Sequence, residues 1–469
     1  MASRSQHEAE GYLTPRPMAS PWASPARAAP DGLKEGPEAA EVPGEMTTRP
    51  HRRPLAVLAC LLSVLLAQPA ASSEAPSVAR AGESGSGPAP WVADGRAAPR
   101  AAPTATSEVR WSDVPARHWA RAAIDFVGVV NDWMLDRRPD ADGTYRFQPD
   151  ALESRRLFAR ALVRAFAPGT TGDGGTAFAD MPAEDRFYRW ADLVVSNGWM
   201  LVDEEGNFRP TEPVTMREVH RAVVLALGMG DLAAGADALH LRNGTPIDTP
   251  ADFGTTLLGM RLGLRHNHGD DSLDVVPDDP LSRAEVAWSL YRAATAPSWV
   301  RESLAAYASM ELPNLSPKLQ RVVAFAVRYV GYPYVWGGEW AQPTPVGYCC
   351  GAQPTGGFDC SGIAWWVMRA AGGGWSNQPP REYEGWALPE RSSAQMAAGG
   401  VPVEWGEIRP GDLLFYDGND DGTIDHVNTY LGNGWAVDSS DGNAGVTITT
   451  VRANWYEEHF VQARRVLVR

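Results

Sequence analysis

The stretch GGFDCSGIAWWVMRAAGGG, residues 356–374, places one cysteine between Phe358-Asp359 and Ser361-Gly362, at the start of a run apolar enough for a buried helix. Cys360 admits three readings: core filler, half of a disulfide, or nucleophile. A free buried cysteine ordinarily behaves as a small hydrophobe, so packing is the reading to beat. If CSGIAWWVMRAA is helical, however, Cys360 sits in the first turn. Unpaired backbone N–H groups and the positive end of the helix dipole there favour thiolate over thiol.

A thiolate nucleophile needs a base. Downstream, RPGDLLFY and DHVNTYLGNGWAVDSS alternate short β runs with glycine turns, which predicts a small antiparallel sheet. His426 opens the strand HVNTYLG, and His459 is the only other histidine after Cys360. Past the turn GNG, Asp438 falls on the neighbouring strand of a hairpin, where a carboxylate can hold the imidazole tautomer. Upstream, SPKLQRVVAFAVRYVG reads as an amphipathic helix with Leu319, Val322, Val323, Ala326, Tyr329 and Val330 on one face.

Cysteine, then histidine, then a polar orienter, with PYVWGG, FDCSG, PGDLLFY and DHVNTYLGNG between and around them, resembles the NlpC-type family of papain-like peptidoglycan endopeptidases over residues 316–469. The resemblance implies an α+β papain-like domain with a small antiparallel sheet and no required cofactor. It also implies cleavage of peptidoglycan stem peptides at the γ-D-glutamyl to diamino-acid bond. Cys360 would be the nucleophile and His426 the base and then the acid. Asp438 would stand at the orienting position, where most relatives carry His, Asn or Gln. Tyr334 would help bind the oxyanion or substrate, Trp336 would line the cleft, and Asp359 with Ser361 would meet a substrate amine. The segment 339–356, EWAQPTPVGYCCGAQPTG, is longer than is usual in the family and is expected to hang over the cleft. Two other classes would keep the same residues: a catalytically idle wall-binding protein, and an acyltransferase that passes the acyl group to an amine.

The run DGNDDGTID places Asp417, Asn419, Asp421 and Asp425 at the first, third, fifth and ninth positions of an EF-hand-like loop, with Gly422 sixth. That spacing admits a structural calcium. Asn428 stands where the bidentate glutamate of such a loop belongs, and Asp/Asn/Gly runs also form ordinary turns.

Composition bounds the rest. A net charge of -15 over 469 residues, with no basic stripe interleaved with aromatics, argues against a nucleic-acid partner. Residues 1–105 read as a leader without periodicity except for HRRPLAVLACLLSVLLAQPAASSEA at 51–75. There His51, Arg52 and Arg53 precede a short apolar run and small residues near Ser73, the pattern of a secretion signal. The run is shorter than the ~20 residues a bilayer span needs, so no stable membrane span is expected. The predicted location is outside the cell, at the cell wall. Cys349, Cys350 and Cys360 would remain, an odd count that leaves at least one free thiol. Cys349 and Cys350 are adjacent, so a bond between them would be strained: ~3.8 Å between Cα atoms falls below the usual ~4.4–6.8 Å.

Between 106 and 298 one pattern recurs. WSDVPARHWARAAIDFVGVVNDWML answers FADMPAEDRFYRWADLVVSNGWML, and YRFQPDALESRRLFARAL answers GNFRPTEPVTMREVHRAV. A weaker copy ends in LDVVPDDPLSRAEVAWSLYRAA. Asp113 thus matches Asp180, Trp133 matches Trp199 and Pro149 matches Pro210. Each second helix is expected to start at a Ser or Thr cap: Ser154, Thr215, Ser282. On Asp113-Val114, Trp119, Phe147-x-Pro149 and Ser282-Arg283-Ala284-Glu285 these units resemble S-layer homology repeats. The resemblance implies an all-α module that docks on a secondary cell-wall polysaccharide, with Arg and acidic residues at the second-helix starts reaching the sugar. Residues 299–315 read as a polar linker to the C-terminal domain.

Overall fold

Asp113 and Asp180, matched in sequence, have matching roles in the fold. Asp113 accepts the backbone N–H groups of Phe147 (2.9 Å) and Gln148 (2.8 Å), and Asp180 those of Phe208 (2.8 Å) and Arg209 (2.7 Å). Gln148 and Arg209 are left-handed, at φ 59° and 56°. Each precedes a proline, which disfavours the right-handed helical region, and a non-glycine residue there costs ~1–2 kcal/mol. The carboxylate of the preceding segment braces each strained turn. The computed structural model in which these contacts are seen describes residues 111–170, 172–345, 351–368, 390–452 and 454–467. The leader, its signal-like segment and Cys349 and Cys350 lie outside the described residues.

The helices Arg155–Phe166, Met216–Ala226 and Arg283–Thr295 start around a common centre. There the backbone closes a ring: Glu153 N–H to Leu281 C=O (3.0 Å), Leu281 N–H to Val214 C=O (2.8 Å), Val214 N–H to Glu153 C=O (2.9 Å). Each unit supplies one donor and one acceptor, so no unit satisfies its own polar groups alone. Thr215 caps its helix in a capping box with Glu218, and the Ser282 hydroxyl accepts the Glu285 N–H. Ser154 differs from the expectation: it holds the cap position in extended conformation but makes no side-chain cap bond.

The arginines at two of these helix starts also differ from the expectation that they reach a sugar. Arg155 and Arg283 are buried. Arg155 Nε donates to Phe208 C=O (2.6 Å) and its guanidinium pairs with Glu218. Arg283 Nε donates to Phe147 C=O (2.7 Å), and Nη1 pairs with Glu153 (2.6 Å) and Asp136 (3.1 Å). Each guanidinium lies over the phenylalanine of another unit's turn, at 5.0 and 4.9 Å. They staple units together. Arg283→Met is therefore expected to lower stability by ~3–5 kcal/mol, because two buried carboxylates lose their partner. Denaturant unfolding of the whole chain followed by tryptophan fluorescence measures this, and an unchanged midpoint would contradict it.

Residues 299–315 are not a linker in the structure. They fold into a helix at Ser298–Ser303, a 3₁₀ turn at Leu304–Ser309 and a two-residue strand at Glu311–Leu312 that pairs in parallel with His240–Leu241. Leu304, Tyr307, Met310 and Leu312 are buried, so apolar residues within the polar-looking run anchor it. Tyr307 donates its hydroxyl to Ile448 C=O (2.8 Å) and packs on Trp435 at 4.9 Å. The described helical and C-terminal parts consequently belong to one compact unit. Among the described residues no helix is long and apolar enough to cross a membrane.

The C-terminal part packs helix α1 (Pro317–Val327) and helix α2 (Cys360–Met368) against a six-stranded sheet. The strands are β1 (Val401–Val403), β2 (Leu413–Tyr416), β3 (His426–Gly432), β4 (Trp435–Ser440), β5 (Gly445–Thr450) and β6 (Phe460–Arg465). The sheet order is β1-β6-β2-β3-β4-β5, with every pair antiparallel. Ser316 caps α1, and Pro317 occupies its first turn. Every residue of α2 is buried, as its continuous apolar sequence requires. Trp366 fills the space between helices and sheet, against Phe325 (5.8 Å), Trp340 (5.5 Å) and Phe358 (5.7 Å). Asn433 and Gly434, both left-handed, turn β3 into β4 as a tight hairpin.

Candidate active site

Two junctions of this fold meet. Cys360 is the first residue of α2, and the glycine two places on lets that end close down: a Cβ at Gly362 would stand 2.0 Å from Gly338 O. His426 is the first residue of β3, and Asp438 lies on β4. His426 Nε2–H donates to Asp438 Oδ1 at 2.6 Å, which leaves the other ring nitrogen unspent, and Cys360 is near enough to the imidazole to favour its charged form. Cys360 is 9% exposed and packs at the margin of the buried cluster, and its Sγ lies 3.9 Å from Asp425 C=O.

Burial disfavours a charged His426 ring, yet Asp438, and after it Cys360, hold its pKa well above the ordinary histidine value. Burial likewise pushes the Asp438 carboxyl up. The His426 charge and hydrogen bonds from His426, Tyr456 and Asn443 outweigh that and bring it below the usual range. Asp438 is completely buried and accepts from Tyr456 OH (2.9 Å) and Asn443 Nδ2 (2.9 Å) in addition to His426. A buried ionised carboxylate survives only when its lone pairs are taken in this way. Such an arrangement can stabilise an imidazolium beside a thiolate, the state a nucleophilic cysteine uses.

Around this centre the predicted residues separate. Tyr334 is half-buried, and burial and then the nearby Cys360 raise its phenol pKa, so it remains a neutral donor. Trp336 is 63% exposed, so it is a free ring face rather than core. Asp359 and Ser361 are instead enclosed. Arg391 Nη1 donates to Asp359 Oδ1 (3.0 Å) and Ser361 Oγ (2.8 Å), its Nη2 to Asp359 Oδ2 (3.2 Å) and its Nε to Glu339 (2.6 Å). A substrate amine would have to compete with a buried guanidinium for both residues.

The segment 339–356 is tied down at its ends. Glu339–Trp340 pairs with Gly357–Phe358, and the buried Gln353 amide bridges the backbone of Glu339, Trp340, Thr355 and Gly357. Residues 346–350 within it lie outside the described residues. In the loop 417–425, Asp417 accepts the N–H groups of Asp421 (3.1 Å) and Gly422 (2.7 Å), Asp421 that of Thr423 (2.8 Å) and Asp425 that of Gly418 (3.0 Å). The carboxylates close the turn on its own amides. Among the described residues no three His, Cys, Asp or Glu side chains converge on a metal position.

Sequence reasoning missed Tyr456, Asn443 and Arg391. The only local signal for Asn443 is the Ser440 cap of the short turn Asp441–Asn443, which the left-handed Ala444 ends. Tyr456 comes from beyond β5, and nothing in its surroundings points to β4.

A cysteine at a helix start, a histidine at a strand start and a buried carboxylate on the next strand define an α+β protein with a papain-like cysteine–histidine site. Residues 331–465 match the NlpC/P60 family. Peptidoglycan endopeptidase RipB of Mycobacterium tuberculosis is 30% identical over 264 residues, covering 56% of this chain and 87% of RipB. The chain belongs to the NlpC/P60 family. Murein DD-endopeptidase MepH of Escherichia coli is 27% identical over 155 residues, 32% of this chain and 48% of MepH. The bifunctional muramidase/DL-endopeptidase CwlT of Bacillus subtilis is 29% identical over 148 residues, 31% of this chain and 36% of CwlT. The match thus spans less than half the length of MepH and CwlT. Among solved structures, RipD of M. tuberculosis, described as a non-catalytic NlpC/p60 domain protein, is 30% identical over 33% of this chain and 100% of its own, with a TM-score of 0.24.

Proposed function

We propose that the chain is a cysteine endopeptidase of peptidoglycan stem peptides, acting outside the cell at the γ-D-glutamyl to diamino-acid bond. The observation that carries this is His426 hydrogen-bonded to the buried Asp438, with Cys360 near enough to favour the charged imidazole. The Cys360 thiolate attacks the scissile carbonyl, and His426 gives its proton to the leaving amine. His426 then takes a proton from water, which releases the acyl group from sulfur. Tyr334 and the backbone at the start of α2 face the developing oxyanion, and Trp336 offers its ring to the peptide. The test is mass spectrometry of purified peptidoglycan after digestion. New termini at the named bond support the reading, termini elsewhere in the stem move the specificity, and transfer to an added amine points to an acyltransferase.

The helical units would hold the enzyme on a secondary wall polysaccharide. The residue pattern supports this, together with a half-buried ring cluster in which Trp119 stacks on His266 at 4.4 Å beside Trp288, with Glu285 hydrogen-bonded to His268. The whole chain carrying Cys360→Ala is expected to sediment with wall sacculi and to stay in solution once the non-peptidoglycan polymer is stripped. Equal sedimentation before and after stripping would remove the polymer from the account.

A further inference from the structure

The polar line behind His426 does not stop in the C-terminal domain. Arg261, the last residue of the helix Phe253–Arg261 in the third helical unit, donates through Nη1 to Asn443 Oδ1 at 2.7 Å. Asn443 spends its Nδ2 on Asp438 Oδ2 (2.9 Å), with Ser440 Oγ and the Tyr456 hydroxyl at 3.0 and 3.2 Å. A second bond runs beside it, from Asn267 Nδ2 to Asp441 Oδ1 at 2.6 Å. Among the described residues no carboxylate forms an ion pair with Arg261. Burial opposes its charge, and the surroundings that favour it are Tyr307, Tyr456 and Asp438 itself.

We infer that Arg261 is a positioning residue for the catalytic centre, fixing through Asn443 the carboxylate that orients His426, so that the third helical unit completes the active site as well as carrying it. An amide side chain can be reversed, and only one orientation offers its N–H groups to Asp438. A guanidinium on Asn443 Oδ1 selects that orientation. The cation also adds favourable potential at a carboxylate that must remain ionised in a buried place. This inference rests on the proposed thiol mechanism but is separable from it by experiment.

The test uses the whole chain with Arg261→Met, Asn443→Ala and both together, and Arg261→Lys as the conservative variant. Two readouts apply: turnover of peptidoglycan stem fragments, and the rate at which iodoacetamide alkylates Cys360 at pH 6, read by peptide mass spectrometry. Arg261→Met is expected to lower kcat by about 10-fold with KM kept, and to slow Cys360 alkylation about 5-fold, while Arg261→Lys recovers most of both. The double variant is expected to be no worse than Asn443→Ala, because the two residues act as one unit. Wild-type alkylation and kcat in Arg261→Met would overturn the inference, as would losses that multiply in the double variant. If Arg261→Met does not fold, Asn443→Ala still tests the line, and wild-type alkylation there overturns it. A wild-type chain that alkylates rapidly but cuts no stems would refute the endopeptidase reading while leaving the Arg261 comparison intact.

Discussion

Cys360→Ala is expected to reduce stem-peptide hydrolysis to the detection limit, a loss on the order of 10⁴-fold or more, because the acyl group then has no nucleophile to pass through. The fold should survive. Cys360 contributes one long contact to Asp425 C=O, and alanine fits the first turn of α2 without filling new space. Its melting temperature is therefore expected to match that of the unmutated chain. Retained turnover in a folded Cys360→Ala chain would refute the thiol mechanism. Replacing Cys349 and Cys350 together is the companion control, and it should leave turnover standing, since neither heads α2.

Asp438→Ala should cost ~10²-fold or more in kcat, and unlike the cysteine change it should also cost stability. The Tyr456 hydroxyl and the Asn443 amide lose a buried acceptor, at ~1–3 kcal/mol for an orphaned buried group. Asp438→Asn keeps an oxygen for His426 Nε2–H but not the charge, so it should retain appreciable turnover with an alkaline limit nearer the ordinary histidine value. The pH dependence follows from the two shifts. The depressed Asp438 contributes stability above the ordinary aspartate value, lost as pH falls through its lower folded value. The raised His426 contributes stability below the ordinary histidine value, lost as pH rises through its higher folded value. Both contributions are present together between about pH 4 and 6.5. The melting difference between the unmutated chain and Asp438→Ala is expected to be greatest there, and a difference flat from pH 3 to 9 would separate Asp438 from the titrating centre.

Much of the site was legible because it is local in character. A cysteine opening an apolar helix, a histidine opening a strand and an aspartate past an Asn-Gly turn can be read from residue type and spacing. The hairpin brings His426 and Asp438 to neighbouring strands by backbone geometry alone. Asp359 and Ser361 were legible as neighbours of the cysteine but not in their surroundings. Arg391, 30 residues beyond Ser361, reaches them only after the chain has folded back. The run 299–315 misled for a similar reason. Its polar residues are many, but Leu304, Tyr307, Met310 and Leu312 are placed where the sheet and the helical units both need apolar cover.

What the amino-acid order determined by itself is the periodic and the nearest-neighbour part: the helical units with their matched aspartates, the apolar helix behind Cys360, the hairpin after His426. These depend on interactions a few residues long, whose geometry is the same wherever the segment lies. Tertiary structure alone decided which charges meet. Arg283 went to Glu153 and Asp136 instead of solvent, Arg391 to Asp359, and Arg261 to Asn443, 182 residues away. An arginine's long, flexible side chain carries no directional signal in sequence. Its partner is fixed by the cost of burying an unpaired charge once the surrounding segments have packed.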